Sequence, residues 1–237
     1  MRNILRPFAI VERVLRNRIA YYAEIARGET LQQKIADLAI VTVVGLAIFG
    51  FVAGLSGRNI LQAVVAAVKM PGLFLTSGII CLPTLYYFSV LFGSRLRFLQ
   101  TITLILTAQA IAAVLAVGTA PISLLFLLSG SELPFLVVLN VGVLALSATL
   151  GLIFLAQGVL YVQETEPPDK VTFFGWAGML IKGTFRSIVL VAWTVVYGLV
   201  GTQLSYTLRP FFGISFTGNN FWTGMNSIIL SLLSMGR

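Results

Sequence analysis

The sequence has no histidine, one cysteine and only eight aspartate or glutamate residues in 237. Without histidine, the commonest metal ligand and the commonest general base are both missing. A lone cysteine, Cys81, excludes a disulfide framework and a cysteine metal cluster, and we expect it to be a small buried hydrophobic residue. No phosphate-binding loop, serine-hydrolase elbow or zinc-peptidase helix motif is present. These absences favour a protein that is not an enzyme and uses no cofactor.

Charge is also scarce, at 10% of the residues, while 58% are hydrophobic. Soluble domains average about 25% charged residues, and the mean hydropathy here is +0.96. A membrane span needs roughly 20 apolar residues. Long unbroken apolar runs of that kind predict helices, which satisfy their own backbone hydrogen bonds in lipid. The sequence therefore predicts an all-α polytopic membrane protein with about five transmembrane helices.

Residues 1–36 form the longest strongly polar region. At about 100° per residue, apolar side chains gather on one side and arginines on the other, which predicts a basic amphipathic helix. We expect this helix to be cytoplasmic and to lie in the headgroup plane. The arginines expected to bind anionic lipid are Arg2, Arg6, Arg13, Arg16 and Arg27. The alternative is a helix that packs on a partner or on the cytoplasmic face of the protein itself.

The membrane domain is predicted over residues 37–208. Its spans are expected at about 38–56, 72–93, 99–128, 134–162 and 187–208. The apolar part of residues 57–71 is too short to span, so this stretch is expected to be an interfacial or re-entrant helix ended by Pro71. Pro83 predicts a kink, and Pro121 predicts a break near the far surface.

Two further features concern packing and the C-terminal end. Gly50 and Gly54 have the G-x-x-x-G spacing that permits close helix contact, which we expect within the chain rather than between copies. Residues 209–237 are weakly amphipathic and are expected to be a non-cytoplasmic interfacial tail, with a short sixth span as the alternative.

The distribution of Lys and Arg predicts the orientation. With five spans, twelve of the 16 basic residues fall on the side of the N-terminus. Basic residues near span ends favour the cytoplasmic side. We therefore expect a bacterial cytoplasmic membrane protein with its N-terminus in the cytoplasm and its C-terminus outside.

Further basic residues are candidate contacts at the two surfaces. Four on the cytoplasmic side are expected to bind anionic headgroups: Arg95, Arg97, Lys182 and Arg186. On the opposite side, Arg209 in "YTLRPFFG" either ends the fifth span or contacts a partner or lipid.

None of the eight acids lies within a predicted span, although ionisable groups in a span are the usual sign of transport or catalysis. The spans instead carry neutral amides, namely Gln109, Asn140, Gln157 and Gln203. Such amides join helices by hydrogen bonds or line a polar pathway.

The first functional hypothesis is a non-enzymatic multispan subunit, a scaffold or accessory component of a membrane complex. Its partners would be an anionic bilayer and other membrane proteins or copies of itself, without nucleic acid. The alternative is a permease or channel subunit that moves a small solute or lipid along Gln109, Asn140 and Gln203 between broken helices. A weaker third hypothesis is a lipid-modifying enzyme that works without histidine.

Overall fold

The computed structural model describes residues 6–57, 60–91, 96–163 and 185–207. Within these ranges it is 94% helix and contains no strand, so the all-α prediction is confirmed. In chain order the helices are α1 (Arg6–Arg16), α2 (Arg18–Arg27), α3 (Leu31–Gly54), α4 (Ile60–Leu91), α5 (Phe98–Leu128), α6 (Leu133–Gln163) and α7 (Phe185–Thr207). A 3-10 turn at Leu55–Gly57 follows α3.

Four helical segments in the described residues are long and apolar enough to cross a membrane, which indicates an integral membrane protein. They are Leu31–Gly57, Ile60–Val90, Phe98–Leu128 and Leu133–Val159. Helix α7 occupies nearly the same residues as the predicted fifth span, 187–208. A fifth crossing by α7 stays a prediction.

The N-terminal region is two helices rather than the single predicted one. Asn17 interrupts the helix, and its side chain accepts a hydrogen bond from the backbone N–H of Ala20 at 3.5 Å, as an N-cap of α2 does. Gly28 ends α2 in the left-handed conformation at φ 81°. The N–H of Glu29 then bonds back to the carbonyl of Glu24, which closes the helix end.

The glycines Gly50 and Gly54 face α4, so the prediction of packing within the chain is confirmed. A Cβ at Gly54 would lie 2.7 Å from Ala63 Cα, and one at Gly50 would lie 2.7 Å from the carbonyl oxygen of Ala66. The backbones of α3 and α4 are therefore close enough that only glycine fits at these two positions on α3.

This packing explains where the predicted boundaries were wrong. Residues 60–71 are the first part of α4, not a separate interfacial helix, and α4 continues through Pro71 and Pro83. Likewise α5 continues through Pro121 to Leu128. A proline removes one backbone hydrogen bond, but neighbouring helices hold such a helix together in a membrane bundle.

Helix α5 is at the centre of the bundle. It packs against α3 and α6, while α4 packs against α3 and α7 packs against α4. The N-terminal helices join the same core, because Val14, Tyr21, Tyr22 and Ile25 are fully buried there. Of the two predicted placements for this region, α2 therefore adopts the one packed on the protein itself.

Candidate functional site at the N-terminal helices

Two tyrosines fix α2 to the transmembrane helices. Tyr21 donates from its hydroxyl to Thr107 Oγ1 at 2.8 Å, since the Thr107 hydrogen is already given to the Thr103 carbonyl. Tyr22 donates to the carbonyl oxygen of Phe154 at 2.8 Å. These bonds join α2 to the central helix α5 and to α6.

Burial keeps both tyrosines in the donor form. It raises the pKa of Tyr21 to about 12 against an opposing effect of the Thr107 hydrogen bond. Burial also raises the pKa of Tyr22. Both phenols are therefore protonated at physiological pH and can donate these hydrogen bonds.

Room for Tyr22 comes from a glycine on α6. A Cβ at Gly158 would lie 2.8 Å from the Tyr22 ring and 2.6 Å from Leu104. Any larger residue at 158 would displace the ring or the leucine.

Gln100 ties the end of α2 to the start of α5. Its Nε2 donates to the carbonyl oxygens of Ile25 at 2.8 Å and Ala26 at 3.0 Å. Its Oε1 accepts from the backbone N–H of Arg97 at 2.8 Å. One buried amide thus satisfies free groups at the ends of two helices.

An ion pair between a buried lysine and a partly exposed glutamate joins α2 to α3. Lys34 Nζ lies 2.8 Å from Glu24 Oε2, and the Lys34 side chain is only 6% exposed. The ammonium also lies 5.4 Å from the centre of the Tyr21 ring, on which cations bind favourably. The hydrogen bond from Lys34 lowers the pKa of Glu24, and the charges of Lys34, Arg13 and Arg27 lower it further against the opposing effect of burial.

Arg18 forms a further link, between α2 and α6. Its Nη1 donates to Gln157 Oε1 at 3.3 Å, and its guanidinium lies 5.5 Å from the centre of the Phe154 ring. The predicted polar residue Gln157 therefore binds the N-terminal segment.

Gln109 lies in a second polar group, between α4, α5 and α7. Its Nε2 donates to the Phe74 carbonyl at 2.6 Å and to the Tyr197 hydroxyl at 3.2 Å. Ser77 Oγ lies 3.4 Å from the same hydroxyl. The adjoining cleft has room for about 20 Å³, which is enough for one water molecule and too little for a solute.

The remaining predicted amides lie elsewhere. Asn140 donates to the Leu136 carbonyl at 2.8 Å and to Ser56 Oγ at 3.4 Å, near the turn after α3. Gln203 is exposed on α7. The structure does not bring Gln109, Asn140 and Gln203 to one shared cavity.

The predicted lipid contacts whose side chains the structure describes are exposed. Arg13, Arg16 and Arg27 each have a carboxylate 3.6 to 3.8 Å away, and Arg97 is also exposed. Arg6 begins α1, and Arg186 is the second residue of α7. The rest lie outside the described residues: Arg2, Arg95, Lys182, Arg209 and the interfacial tail 209–237.

Sequence reasoning missed the residues that hold this site together. The predicted site residues do not include Glu24, Lys34, Arg18, Tyr21 or Gln100. The sequence signal that bears on the fold here is the pair Asn17 and Gly28, a helix start and a helix stop that bracket α2. Their spacing shows a separate short helix, but nothing in it shows that the helix is buried.

Lys69 lies inside α4 rather than at a helix end. The described part of the chain has no group of three or more His, Cys, Asp or Glu side chains placed to hold a metal ion. No known protein family, curated protein or solved structure matches the chain.

Proposed function

We propose that this chain is a non-enzymatic multispan membrane subunit, a scaffold or accessory component that assembles with other membrane proteins or with itself. It would cross a bacterial cytoplasmic membrane five times, with its N-terminal helices on the cytoplasmic side and its C-terminus outside. The basic side chains would bind anionic headgroups at the cytoplasmic surface.

The observation that carries this proposal is the set of hydrogen bonds that the buried amides make to other parts of the chain. Gln109 and Gln157 bind neighbouring helices, and Asn140 binds the turn after α3. The cleft beside Gln109 has room for about 20 Å³, so it offers no path for a solute. Polar side chains that hold helices together support a structural role over a permease.

The outer face of α7 supports an assembly role. Val195, Leu199, Gly198 and Thr202 are all exposed on it. No atom of another described helix lies within 4 Å of a Cβ placed at Gly198. Gly198 and Thr202 are four residues apart, a spacing at which a second transmembrane helix packs closely.

The test compares two exposed glycines on different helices. Gly198→Leu would block close packing on α7, whereas Gly142→Leu adds the same bulk to α6, where a Cβ also meets nothing within 4 Å. After crosslinking in the native membrane, we expect Gly198→Leu to lose crosslinked complexes and Gly142→Leu to keep them. Equal complexes in both variants would contradict an assembly surface on α7.

The permease alternative has its own measurement. The purified chain in liposomes, without any partner, should move neither small solutes nor lipid at a substantial rate. Rapid flux that stops on Gln109→Leu would replace the scaffold proposal with the alternative.

A further inference from the structure

A groove of about 500 Å³ lies between α1 and α5. Val11, Leu15 and Val114 form its apolar walls, and Glu12 and Arg16 lie at its rim. Small-molecule sites typically have volumes of about 300 to 1,000 Å³ and mostly apolar walls with a few polar groups. The groove is open rather than enclosed, and its apolar and charged lining suits an extended apolar chain with a charged end.

The depth of the groove can be read from helix packing. Gly45 of α3 packs against Ala113 of α5, the neighbour of Val114. Gly45 lies eight residues beyond Asp37, the last charged residue of α3, which at 1.5 Å per residue is about 12 Å. In the proposed membrane location, the groove wall at Val114 is therefore at the depth of the hydrocarbon, where the available apolar ligand is a lipid chain.

Arg16 is placed to bind the charged end of such a ligand. Its side chain is 84% exposed, and its ion pair with Glu12 at 3.8 Å joins two solvated groups. Exposed pairs of this kind are weak and easily exchanged. A guanidinium binds a phosphate through two parallel hydrogen bonds, which a carboxylate at this distance does not prevent.

We infer that this groove binds one acyl chain of an anionic phospholipid, whose phosphate is bound by Arg16. The inference rests on the proposed membrane location and specifies the anionic lipid contact of that proposal. It is independent of subunit assembly, since the groove lies on α1 and α5 and the proposed assembly surface lies on α7. Loss of lipid binding and loss of crosslinked complexes are therefore separate results.

The test uses the purified full chain in detergent, with equal amounts of phosphatidylglycerol and phosphatidylcholine that have identical chains. Native mass spectrometry counts the lipid molecules that stay bound. The wild-type chain should retain one phosphatidylglycerol in preference to phosphatidylcholine. Arg16→Gln should lower this retention about fivefold, as expected for one basic residue near the headgroups. Arg16→Lys keeps the charge but not the two parallel hydrogen bonds, so it should lower the retention less than Arg16→Gln does.

Arg27→Gln is the matched control. Arg27 is 69% exposed and has a similar ion pair, with Glu29 at 3.7 Å, but it lies on α2 and does not line the groove. Because Arg27 is itself a proposed headgroup contact, the control variant should lower retention, but by clearly less than Arg16→Gln does. An equal loss in both variants would show diffuse attraction to basic charge and overturn the site.

The apolar part of the groove is tested by filling it with a larger side chain. Leu15→Trp adds bulk at a half-exposed position, so the fold should survive, which circular dichroism checks. This variant should also lose the bound lipid. Glycerol 3-phosphate carries the headgroup charge without a chain, so an excess of it should not displace the lipid. Retained lipid in Leu15→Trp, or displacement by glycerol 3-phosphate, would refute a groove that holds a chain.

Discussion

Removing the charge of Lys34 should destabilise the packed N-terminal segment. In Lys34→Met the side chain keeps a similar length, but Glu24 loses the ammonium 2.8 Å from its carboxylate. At an effective dielectric constant of about 20, two unit charges at that distance attract by about 6 kcal/mol before desolvation is subtracted. Breaking a fully buried pair costs about 3 to 5 kcal/mol.

The cost of breaking this pair should be smaller than that of breaking a fully buried one. Glu24 is 29% exposed and keeps Arg13 at 3.6 Å, so its unpaired carboxylate is partly compensated. We expect Lys34→Met to lower the free energy of unfolding by about 2 kcal/mol. The assay is unfolding of the purified chain in detergent, followed by tryptophan fluorescence.

A double-mutant cycle with Glu24→Gln separates the pair from other effects of each change. The coupling should be about 1 to 2 kcal/mol. The exposed pair of Arg16 and Glu12 is the control, and its coupling should be below about 0.5 kcal/mol. Additive effects of Lys34→Met and Glu24→Gln would refute the reasoning.

Three other predictions concern stability and packing. The pKa of Glu24 lies below its ordinary value of 4.5 in the folded chain. The stability that ionised Glu24 contributes is therefore complete above about pH 4.5, and it is lost as the pH falls through the lower pKa of the folded state. Glu24→Gln should thus weaken the dependence of stability on pH below about 4.5, as measured by unfolding at several pH values; an unchanged dependence would exclude Glu24 as a cause. Gly158→Leu should displace Tyr22 and cost about 1 to 3 kcal/mol, and it should expose α2 to protease, whereas protection equal to wild type would contradict the buried position of α2. Gly54→Leu should separate α3 from α4 and lower the free energy of unfolding at least as much as Gly158→Leu does in the same assay. A Gly54→Leu chain as stable as wild type would rule out the contact with Ala63.

Sequence reasoning predicted the helical class and most of the long helices because long apolar runs leave few alternatives in lipid. The predicted span 99–128 differs from α5 by one residue at its start, and the predicted span 134–162 differs from α6 by one residue at each end. The predicted start of α4 is wrong because Pro71 predicts a helix end that α4 does not have. Contacts between α3 and α4, such as that of Gly54 with Ala63, outweigh the local effect of the proline, and a single sequence does not reveal them.

The candidate site was harder to predict than the fold. Gln109 and Gln157 could be selected because amides are rare in apolar runs. Their partners, the Phe74 carbonyl and Arg18, are 35 and 139 residues away. The same holds for Glu24, whose charge looks solvated until α2 is packed against the bundle and Lys34 is buried. These roles depend on packing between residues far apart in the chain, which the hydrophobic periodicity of the sequence does not reveal.

The mass of the particle extracted from its own membrane in mild detergent tests the central proposal most directly. One chain has a mass of 25.7 kDa. A scaffold or accessory subunit should be recovered with further copies or other membrane proteins in a fixed ratio, and Gly198→Leu but not Gly142→Leu should reduce that ratio. Recovery of the wild-type chain as a single copy with lipid alone would contradict the proposal.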